Sequence, residues 1–267
     1  MKTDLTSGTG ATALVTGASM GIGLELARVL ASHGHNLILV ARHRDTLEAV
    51  AGNLEGKHGI KAAVIPADLS IADAPAQLYD SVTADGLKVD FLINNAGFGL
   101  GGEFSDTDVD RELDMIQVNV SALTHLTKLF LPAMLKRKSG RIMNVASTAA
   151  FQPGPLMAVY FATKAYVLSF SEAIAEELRD TGVTVTALCP GATATQFAET
   201  AQVGNSRLLS RLGAANAEQV AAYGYSAMMR GERVAIPGMR DKVMLQAERI
   251  APRALVTRMV RLAQENR

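Results

Sequence analysis

The sequence predicts an α/β fold, a single doubly wound domain with a central, mostly parallel sheet of about seven strands flanked by helices. Short apolar runs alternate with longer stretches of helical periodicity along the 267 residues. This alternation is typical of a parallel sheet with helices on both faces. The chain is 48% hydrophobic, enough for one sizeable core. No linker rich in proline, glycine or serine divides it, so one domain is favoured over two small ones.

The predicted strands are short aliphatic runs bounded by turn-forming residues. In chain order they are Ala13–Thr16, Asn36–Ala41, Ala62–Pro66, Phe91–Asn94, Arg141–Ala146, Val183–Cys189 and Arg233–Ile236.

The predicted helices lie between these runs, where apolar residues recur with helical spacing. They are Gly21–His33, Thr46–Gly56, Ala74–Ala84, Val109–Leu135, Leu156–Thr181, Asn205–Gly213 and Ala217–Arg230. The stretch after Asp106 is long enough for two helices, and Pro132 near its end is unfavourable inside a helix.

Composition excludes several classes of function. The formal net charge is zero and the pI is near 7.0, so no basic field suggests nucleic acid as a partner. Cys189 is the single cysteine. A single cysteine excludes an internal disulfide. The apolar neighbours of Cys189 indicate that it is a small buried residue rather than a nucleophile. One cysteine and scattered histidines give no zinc ligand set, so no metal is expected.

The sequence also lacks targeting signals. No apolar run reaches about 18 residues and the polar N-terminus does not resemble a signal peptide. We therefore expect a soluble, cytoplasmic protein.

A glycine-rich turn follows the first predicted strand and opens a helix. Gly17, Gly21 and Gly23 allow a sharp turn and close approach of a ligand to the backbone. The helix N-terminus then offers free N–H groups and a positive dipole end to a pyrophosphate. The turn lacks the Lys-Ser/Thr of a P-loop, which disfavours an NTPase.

The same turn matches the G-x-S-x-G pattern of a hydrolase nucleophile through Gly17, Ser19 and Gly21. Hydrolases of that fold need an acidic residue and then a histidine after the serine. The last histidine here is His125, and few residues precede Ser19. A hydrolase is therefore disfavoured.

The end of the second predicted strand indicates the type of cofactor. No acidic residue stands where one would bind the ribose 2′-hydroxyl of NAD, and Arg42 stands there instead. A guanidinium suits a 2′-phosphate, so NADP(H) is favoured over NAD(H). The alternative is that Arg42 is simply an exposed residue at a helix start.

A tyrosine and a lysine carry the predicted chemistry. Tyr160 and Lys164 are four residues apart, which places them on one face of a helix. A lysine cation about 4 Å from a phenol favours the phenolate by up to roughly 4 kcal/mol, which predicts a phenol pKa near 7. Proton transfer works best there. Ser147, after the fifth strand, could hold the substrate oxygen.

Together these motifs make the chain resemble the short-chain dehydrogenase/reductase family over roughly residues 11–200. The motifs in order are the glycine turn, Asn94–Gly97, Asn119, Ser147, the Tyr160/Lys164 pair and Pro190-Gly191. The resemblance implies a Rossmann-like domain that binds a nicotinamide cofactor. In this family's NADP-preferring members a basic residue often lies in the glycine turn as well. Ser19 and Met20 stand there here, which leaves the preference to Arg42.

By resemblance, Tyr160 is the general acid/base, Ser147 orients the substrate oxygen, Lys164 binds the nicotinamide ribose, and Asn119 holds a water that links Lys164 to solvent. The cofactor-binding residues implied are Gly17, Ser19, Gly21, Ile22, Gly23, Arg42, Asp68, Leu69, Asn95, Ala96, Gly97, Tyr160, Lys164, Pro190, Gly191 and Thr195. Asp68 has an alternative role, because an aspartate after a strand can also cap the following helix.

Substrate specificity is expected from loops beyond the strand ends. These loops are Phe98–Phe104, Thr148–Val159 and Ala192–Leu212. Their large apolar residues are Phe98, Leu100, Phe104, Phe151, Leu156, Met157 and Phe197. With few fixed charges among them, an apolar ketone, aldehyde or alcohol is the expected substrate.

The expected organisation is a flexible leader at 1–10, the cofactor-binding domain at 11–238 and a basic amphipathic extension at 239–267. That extension is interrupted by Pro252. It could pack on its own domain or on a partner subunit, or it could lie on an anionic membrane.

The leading hypothesis is an NADP(H)-dependent oxidoreductase acting on a small-molecule carbonyl or alcohol. The alternative is a cofactor-binding scaffold or redox-sensing protein without turnover. The resemblance further implies a homodimer or homotetramer formed through Ser121–Leu135 and Leu156–Thr181.

Overall fold

The computed structural model describes residues 10–193 and 215–265 and contains a seven-stranded, all-parallel sheet. The order across the sheet is β3-β2-β1-β4-β5-β6-β7. The strands are β1 Thr12–Thr16, β2 Asn36–Ala41, β3 Ala62–Pro66, β4 Phe91–Asn94, β5 Gly140–Val145, β6 Val183–Leu188 and β7 Val234–Ala235. The predicted α/β, doubly wound fold class is confirmed.

Helices cover both faces of the sheet. They are α1 Gly21–Ser32, α2 Arg44–His58, α3 Ala74–Ala84, α4 Val109–Ile116, α5 Leu123–Arg137, α6 Ala158–Glu177, α7 Ala217–Arg230, α8 Met239–Ile250 and α9 Arg253–Gln264. The long stretch after Asp106 forms two helices, α4 and α5, joined by a π-helical turn at Gln117–Ala122. Pro132 lies inside α5. The helix predicted at Asn205–Gly213 falls outside the described residues.

Two cores lie on opposite faces of the sheet because alternate strand residues point to opposite sides. Val15 of β1 packs with α1, α2 and α7 on one face, where Leu26, Leu47 and Met228 are buried. Its neighbour Leu14 packs on the other face with α3 and α5. The sheet is thus buried on both faces, as its continuous apolar strands predict.

The strand order reverses beside β1, which pairs with β2 on one side and β4 on the other. A crevice opens at such a reversal outside the carboxyl ends of the strands, and ligands of open α/β sheets bind there. The glycine turn after Thr16 and the segment after Asn94 both leave the sheet at this point.

A buried polar network stabilises the sheet below this crevice. Asn94 Nδ2 donates to Asn144 Oδ1 at 2.9 Å and to Thr127 Oγ1 at 3.0 Å, and Asn144 Nδ2 donates to Ser171 Oγ at 2.9 Å. These bonds join β4 and β5 to α5 and α6. Buried polar groups that are paired in this way fix one arrangement of the elements.

The C-terminal segment forms two helices that break at Ala251 and Pro252. Leu245 of α8 and Val256 of α9 are buried, so the segment packs on the domain along at least one strip. The division into leader, domain and extension stays a prediction, and residues 1–9 lie outside the described part. Within the described ranges, no helix has the length and apolar character needed to cross a bilayer.

Candidate active site

The glycine turn is locked to the end of β4 by side-chain hydrogen bonds. Asn95 Nδ2 donates to the carbonyl oxygen of Thr16 at 2.9 Å, and Thr16 Oγ1 accepts from the backbone N–H groups of Asn95 and Ala96, each at 3.0 Å. Gly17 and Gly21 have φ of 66° and 56°, a conformation that favours glycine. The cofactor-binding residues predicted in the glycine turn and in the segment after β4 are thus brought together at the crevice.

Close packing requires a glycine at position 23. A Cβ there would lie 2.2 Å from the carbonyl oxygen of Gly17 and 2.4 Å from Asn95 Nδ2. The start of α1 is therefore pressed against the turn, and the residue before it, Met20, provides no side-chain cap for the first N–H groups. Uncapped N–H groups behind a glycine cradle fit the pyrophosphate of a dinucleotide.

The remaining predicted residues of the turn differ in exposure. Ser19 is half-buried within the turn. Ile22 is partly buried and packs against the core, so its side chain faces the protein.

Arg42 lies at the end of the crevice, directly after β2. The backbone N–H of Ala18 donates to the carbonyl oxygen of Val40 at 3.2 Å, which holds the glycine turn beside that strand end. Arg42 is exposed and makes no ion pair within the described part of the chain, whereas Arg44 is paired with Glu48 at 3.3 Å. A guanidinium at this position is available to a phosphate.

Asp68 and Leu69 follow β3. Asp68 Oδ1 accepts from the backbone N–H of Ser70 at 3.0 Å and from its hydroxyl at 2.8 Å, so this carboxylate caps the local turn. The alternative that Asp68 caps the following helix is wrong, because α3 begins only at Ala74 and its N-cap is Asp73. The Leu69 side chain is buried in the core, and contact with a cofactor would have to come from its backbone.

Tyr160 and Ser147 meet at the crevice, beyond the carboxyl end of β5. The Tyr160 phenol is hydrogen-bonded to the Ser147 side chain, and Ser147 Oγ accepts from the Ala149 N–H at 3.1 Å. Ser147 caps the 3₁₀ turn Thr148–Phe151 after β5, while Tyr160 lies in the first turn of α6. The two predicted side chains are brought together by adjacent elements, and Ser147 stays half-buried at the crevice.

Lys164 is buried one turn further along α6. Its Nζ donates to the carbonyl oxygen of Val145 at 2.8 Å and lies 5.8 Å from the centre of the Tyr160 ring. Burial lowers the pKa of Lys164 to about 8, opposed by a smaller effect of Cys189. The lysine is thus close to its titration point near neutral pH.

The spacing of Tyr160 and Lys164 predicted a phenol pKa lowered to near 7, and this prediction is wrong. Burial raises the pKa of Tyr160 to about 12, and the hydrogen bond with Ser147 lowers it by less. The physical reason is that desolvation disfavours the phenolate, while the Lys164 ammonium is directed to the Val145 carbonyl. Tyr160 is therefore a protonated phenol at neutral pH.

Asn119 lies in the π-helical turn between α4 and α5. Its Nδ2 donates to the Phe98 carbonyl and to Thr163 Oγ1, both at 3.0 Å, and its Oδ1 accepts from the Phe98 N–H at 3.1 Å. A Cβ added to Gly97 would lie 2.9 Å from Asn119 Oδ1 and 3.5 Å from Lys164 Nζ. Asn119 therefore ties the segment after β4 to α6 beside Lys164. Its water-holding role stays a prediction.

Pro190 and Gly191 complete the crevice after β6. The Pro190 carbonyl accepts from the Thr148 N–H at 2.9 Å and from Ser147 Oγ at 3.4 Å.

Sequence reasoning missed Asp241 of α8, whose Oδ2 would lie 2.5 Å from a Cβ at Gly191. Burial raises the pKa of that carboxyl. No local signal could have identified it, because α8 is distant in sequence. Thr195 lies outside the described residues.

Cys189 precedes this segment and is fully buried. Burial raises the pKa of its thiol to about 12. The interpretation of Cys189 as a buried apolar residue agrees with this environment.

Apolar side chains surround Tyr160 on the substrate side. The buried members of this cluster are Leu100, Met115, Ala149, Met157, Tyr160 and Phe161, and its partly buried members are Phe98, Val159 and Val260. Sequence reasoning identified Phe98, Leu100 and Met157. It missed Met115 and Val260, which come from α4 and α9 rather than from loops.

The other predicted loop residues lie elsewhere. Phe104 is 69% exposed and points to solvent, and Phe151 packs in a separate cluster. Leu156 has the unusual φ of 67°. A surface groove of about 450 Å³ lies beside Phe151, with Pro153 and Arg253 in its walls, and Tyr160 does not line it. Phe197 is outside the described residues.

Comparisons with known proteins agree with this geometry. The family described as short chain dehydrogenase matches residues 11–205. A very-long-chain 3-oxoacyl-CoA reductase of Anas platyrhynchos is 36% identical over 198 residues. That match covers 72% of this chain and 62% of the relative, so this chain spans less than two thirds of the relative's length.

Solved structures are similar over nearly the whole chain. A short-chain dehydrogenase from Sphingobium yanoikuyae in complex with NADPH has a TM-score of 0.81 and 31% identity, over 92% of this chain and 94% of that one. A bulky-bulky ketone specific alcohol dehydrogenase from Comamonas testosteroni has a TM-score of 0.76 and 29% identity, over 90% and 92%.

Proposed function

This chain belongs to the short-chain dehydrogenase/reductase family, and we propose that it is an NADP(H)-dependent oxidoreductase that interconverts an apolar ketone or aldehyde and the corresponding alcohol. One observation carries the proposal. The Tyr160 phenol is hydrogen-bonded to Ser147 and lies beside the buried ammonium of Lys164. A protein that only binds a nucleotide has no need for a buried phenol with such partners.

In the proposed reaction, the side chains of this protein supply a proton and hold the carbonyl oxygen of the substrate. A bound nicotinamide would supply or accept the hydride at the carbonyl carbon. In the direction of reduction, Tyr160 gives its phenolic proton to the carbonyl oxygen, while the Ser147 hydroxyl hydrogen-bonds to that oxygen and orients it. Lys164 Nζ lies 5.8 Å from the centre of the phenol ring, and we propose that it reprotonates the phenol through an intervening hydroxyl or water. A phenol pKa of about 12 keeps the proton on Tyr160 at neutral pH, which favours its role as an acid.

The cofactor assignment rests on the crevice. Gly17, Gly21 and Gly23 leave room for a pyrophosphate at the start of α1. Arg42 is exposed and free of ion pairs within the described residues, so it can bind a 2′-phosphate. We therefore propose NADP(H) over NAD(H). The NADPH complex of the Sphingobium protein is consistent with this choice.

The substrate class rests on the apolar cluster around Tyr160. Leu100, Met115 and Met157 are buried around Tyr160 and carry no fixed charge, and apolar surroundings of this kind suit a carbonyl compound with apolar substituents. Two of the related proteins are named for their substrates, a bulky ketone for the Comamonas enzyme and 3-oxoacyl-CoA for the Anas enzyme. We propose a ketone flanked by apolar groups as the first compound to test.

The direct test is NADPH oxidation with a panel of aryl alkyl and long-chain ketones, repeated with NADH. We expect turnover of apolar ketones with NADPH and a weaker rate with NADH. No turnover across the panel, despite NADPH binding, would favour the cofactor-binding scaffold instead.

We further propose a homodimer or homotetramer that forms through α5 and α6. Tyr166 of α6 and Leu135 of α5 are exposed apolar side chains, and the Tyr166 hydroxyl is 3.0 Å from Thr124 Oγ1. Sedimentation equilibrium would distinguish these assemblies from a monomer.

A further inference from the structure

The C-terminal helix α9 lies against the substrate side of the site. Val260 packs against the apolar cluster that contains Leu100 and Tyr160. One residue later, Arg261 Nη2 lies 2.8 Å from Glu103 Oε1, an ion pair that joins α9 to the loop Phe98–Phe104. The end of the chain thus reaches the loop that was predicted to contact substrate.

That loop is held to the active site at two further points. Phe98 is bonded through its backbone to Asn119, and the N–H of Gly102 donates to the Leu156 carbonyl at 2.8 Å. Leu156 immediately precedes Met157, the N-cap of the helix that carries Tyr160. The position of the loop is therefore coupled to the entry of α6.

The contact between α9 and the domain is narrow. Val256 is buried and Val260 is partly buried, one helical turn apart on the inner face. Leu255, Met259 and Leu262 are each more than half exposed on the outer face. A helix that rests on so small an apolar strip depends on additional contacts for its position, and the Glu103–Arg261 pair is one of them.

We propose that α9 forms the outer wall of the substrate cleft, and that Val260 and the Glu103–Arg261 ion pair determine how bulky a carbonyl compound the cleft admits. The inference rests on the proposed carbonyl reductase activity and identifies residues that set its specificity. Removing either contact widens the cleft and favours large substrates over small ones.

The expected effects are modest and have a distinct dependence on salt. Both side chains of the ion pair are about half exposed, so breaking it changes an equilibrium by no more than about fivefold. Salt at about 1 M screens charges beyond roughly 3 Å and should weaken the pair in the unmodified protein. Val260 contributes shape rather than charge, so its effect should not depend on salt.

The experiment compares kcat/KM for a bulky and a small aryl ketone at saturating NADPH. We expect the bulky-to-small ratio to rise about fivefold in Val260→Ala and about threefold in Arg261→Gln or Glu103→Gln. High salt should raise the ratio in the unmodified protein and leave it unchanged in Arg261→Gln. Arg261 Nε also lies 3.2 Å from Glu265 Oε1, so the double charge exchange Glu103→Arg with Arg261→Glu should restore the original ratio only when Glu265→Gln is added.

Two variants serve as controls, because their side chains are exposed on α9 and form no hydrogen bond or ion pair with the loop within the described residues. These are Arg258→Gln and Leu262→Ala. Both should keep the original ratio. Equal ratios in the unmodified protein, Val260→Ala and Arg261→Gln would overturn the inference while leaving the proposed reductase activity intact.

A second measurement does not require turnover. Hydrogen–deuterium exchange should be faster in peptides covering 98–107 in Arg261→Gln than in Arg258→Gln, because the loop loses one attachment. Unchanged exchange in those peptides would also overturn the inference, whether or not any ketone is reduced.

Discussion

Lys164 and Tyr160 share one face of α6, yet the ammonium of Lys164 is bonded to the carbonyl of Val145, 5.8 Å from the centre of the phenol ring. The ammonium of Lys164 is thus held at the end of β5, close to the phenol. Burial moves the two pKa values apart, to about 8 for Lys164 and about 12 for Tyr160. This relationship makes the pair sensitive to pH on the alkaline side.

The rate of reduction should fall as pH rises through about 8. Lys164 is charged below that pKa and loses its proton above it, whereas Tyr160 keeps its proton until about 12. The predicted decline in kcat therefore reports Lys164 and occurs well before the phenol ionises. The measurement is kcat against pH from 6 to 10 at saturating ketone and NADPH.

Lys164→Arg is the control for this profile, because a guanidinium stays protonated throughout the range. Its residual activity should be independent of pH. A flat profile to pH 9.5 in the unmodified protein would contradict the assigned role of Lys164.

Arg42→Ala should weaken NADPH binding about 10- to 100-fold, because a hydrogen bond to a charged group contributes about 1.5–3 kcal/mol. NADH binding should change less than about twofold, since NADH lacks the 2′-phosphate. Fluorescence titration of both cofactors gives the comparison. Arg179→Ala is a suitable control because Arg179 is ion-paired with Glu176 at the far end of α6. An equal loss for both cofactors would refute the 2′-phosphate argument.

Gly23→Ala should abolish cofactor binding or prevent folding, since the added Cβ would lie 2.2 Å from the Gly17 carbonyl oxygen. Gly52→Ala in α2 is the matched control. No atom lies within 4 Å of a Cβ at that position, and an alanine in an open helical position stabilises by about 0.5–1 kcal/mol. Urea unfolding and NADPH titration test both variants, and normal binding by Gly23→Ala would show that the turn packs differently.

The free energy of unfolding should decrease as pH falls below about 6.5. Burial lowers the pKa of His35, His33 lowers it further, and Asp90 raises it by less. The unfolded chain therefore binds a proton in this window that the folded chain does not. His35 Nε2 lies 2.9 Å from the Tyr225 hydroxyl, so the neutral ring is well accommodated.

Urea unfolding at pH 5.5 and 7.5 measures this effect. In His35→Gln the difference between the two pH values should be smaller than in the unmodified protein. An unchanged difference would mean that other groups cause the pH dependence.

Local patterns were sufficient to predict most of the sheet and the common helix face of Tyr160 and Lys164. Asn36–Ala41, Ala62–Pro66 and Phe91–Asn94 are strands with the predicted bounds, because aliphatic runs between turn residues have few alternatives. Tyr160 and Lys164 are four residues apart in one helix, so their common face follows from helical geometry alone.

Contacts between distant segments could not be predicted in this way. Arg261 and Glu103 are 158 residues apart, and Asp241 reaches Gly191 from a helix whose position depends on the whole fold. The predicted pKa of Tyr160 was wrong for the same reason, because the burial of a side chain is set by tertiary packing rather than by spacing along the sequence. Phe104 was predicted to contact substrate because it is a large apolar loop residue, but its side chain points to solvent.

The most direct test of the account is a single-turnover measurement of hydride transfer from bound NADPH to an apolar ketone, comparing Tyr160→Phe with Tyr166→Phe. Tyr166 lies on the same helix, is exposed and is placed outside the site. We expect Tyr160→Phe to bind NADPH within about twofold of the unmodified protein and to reduce the ketone about 10²- to 10⁴-fold more slowly, while Tyr166→Phe is unaffected. Unchanged reduction by Tyr160→Phe would contradict the account.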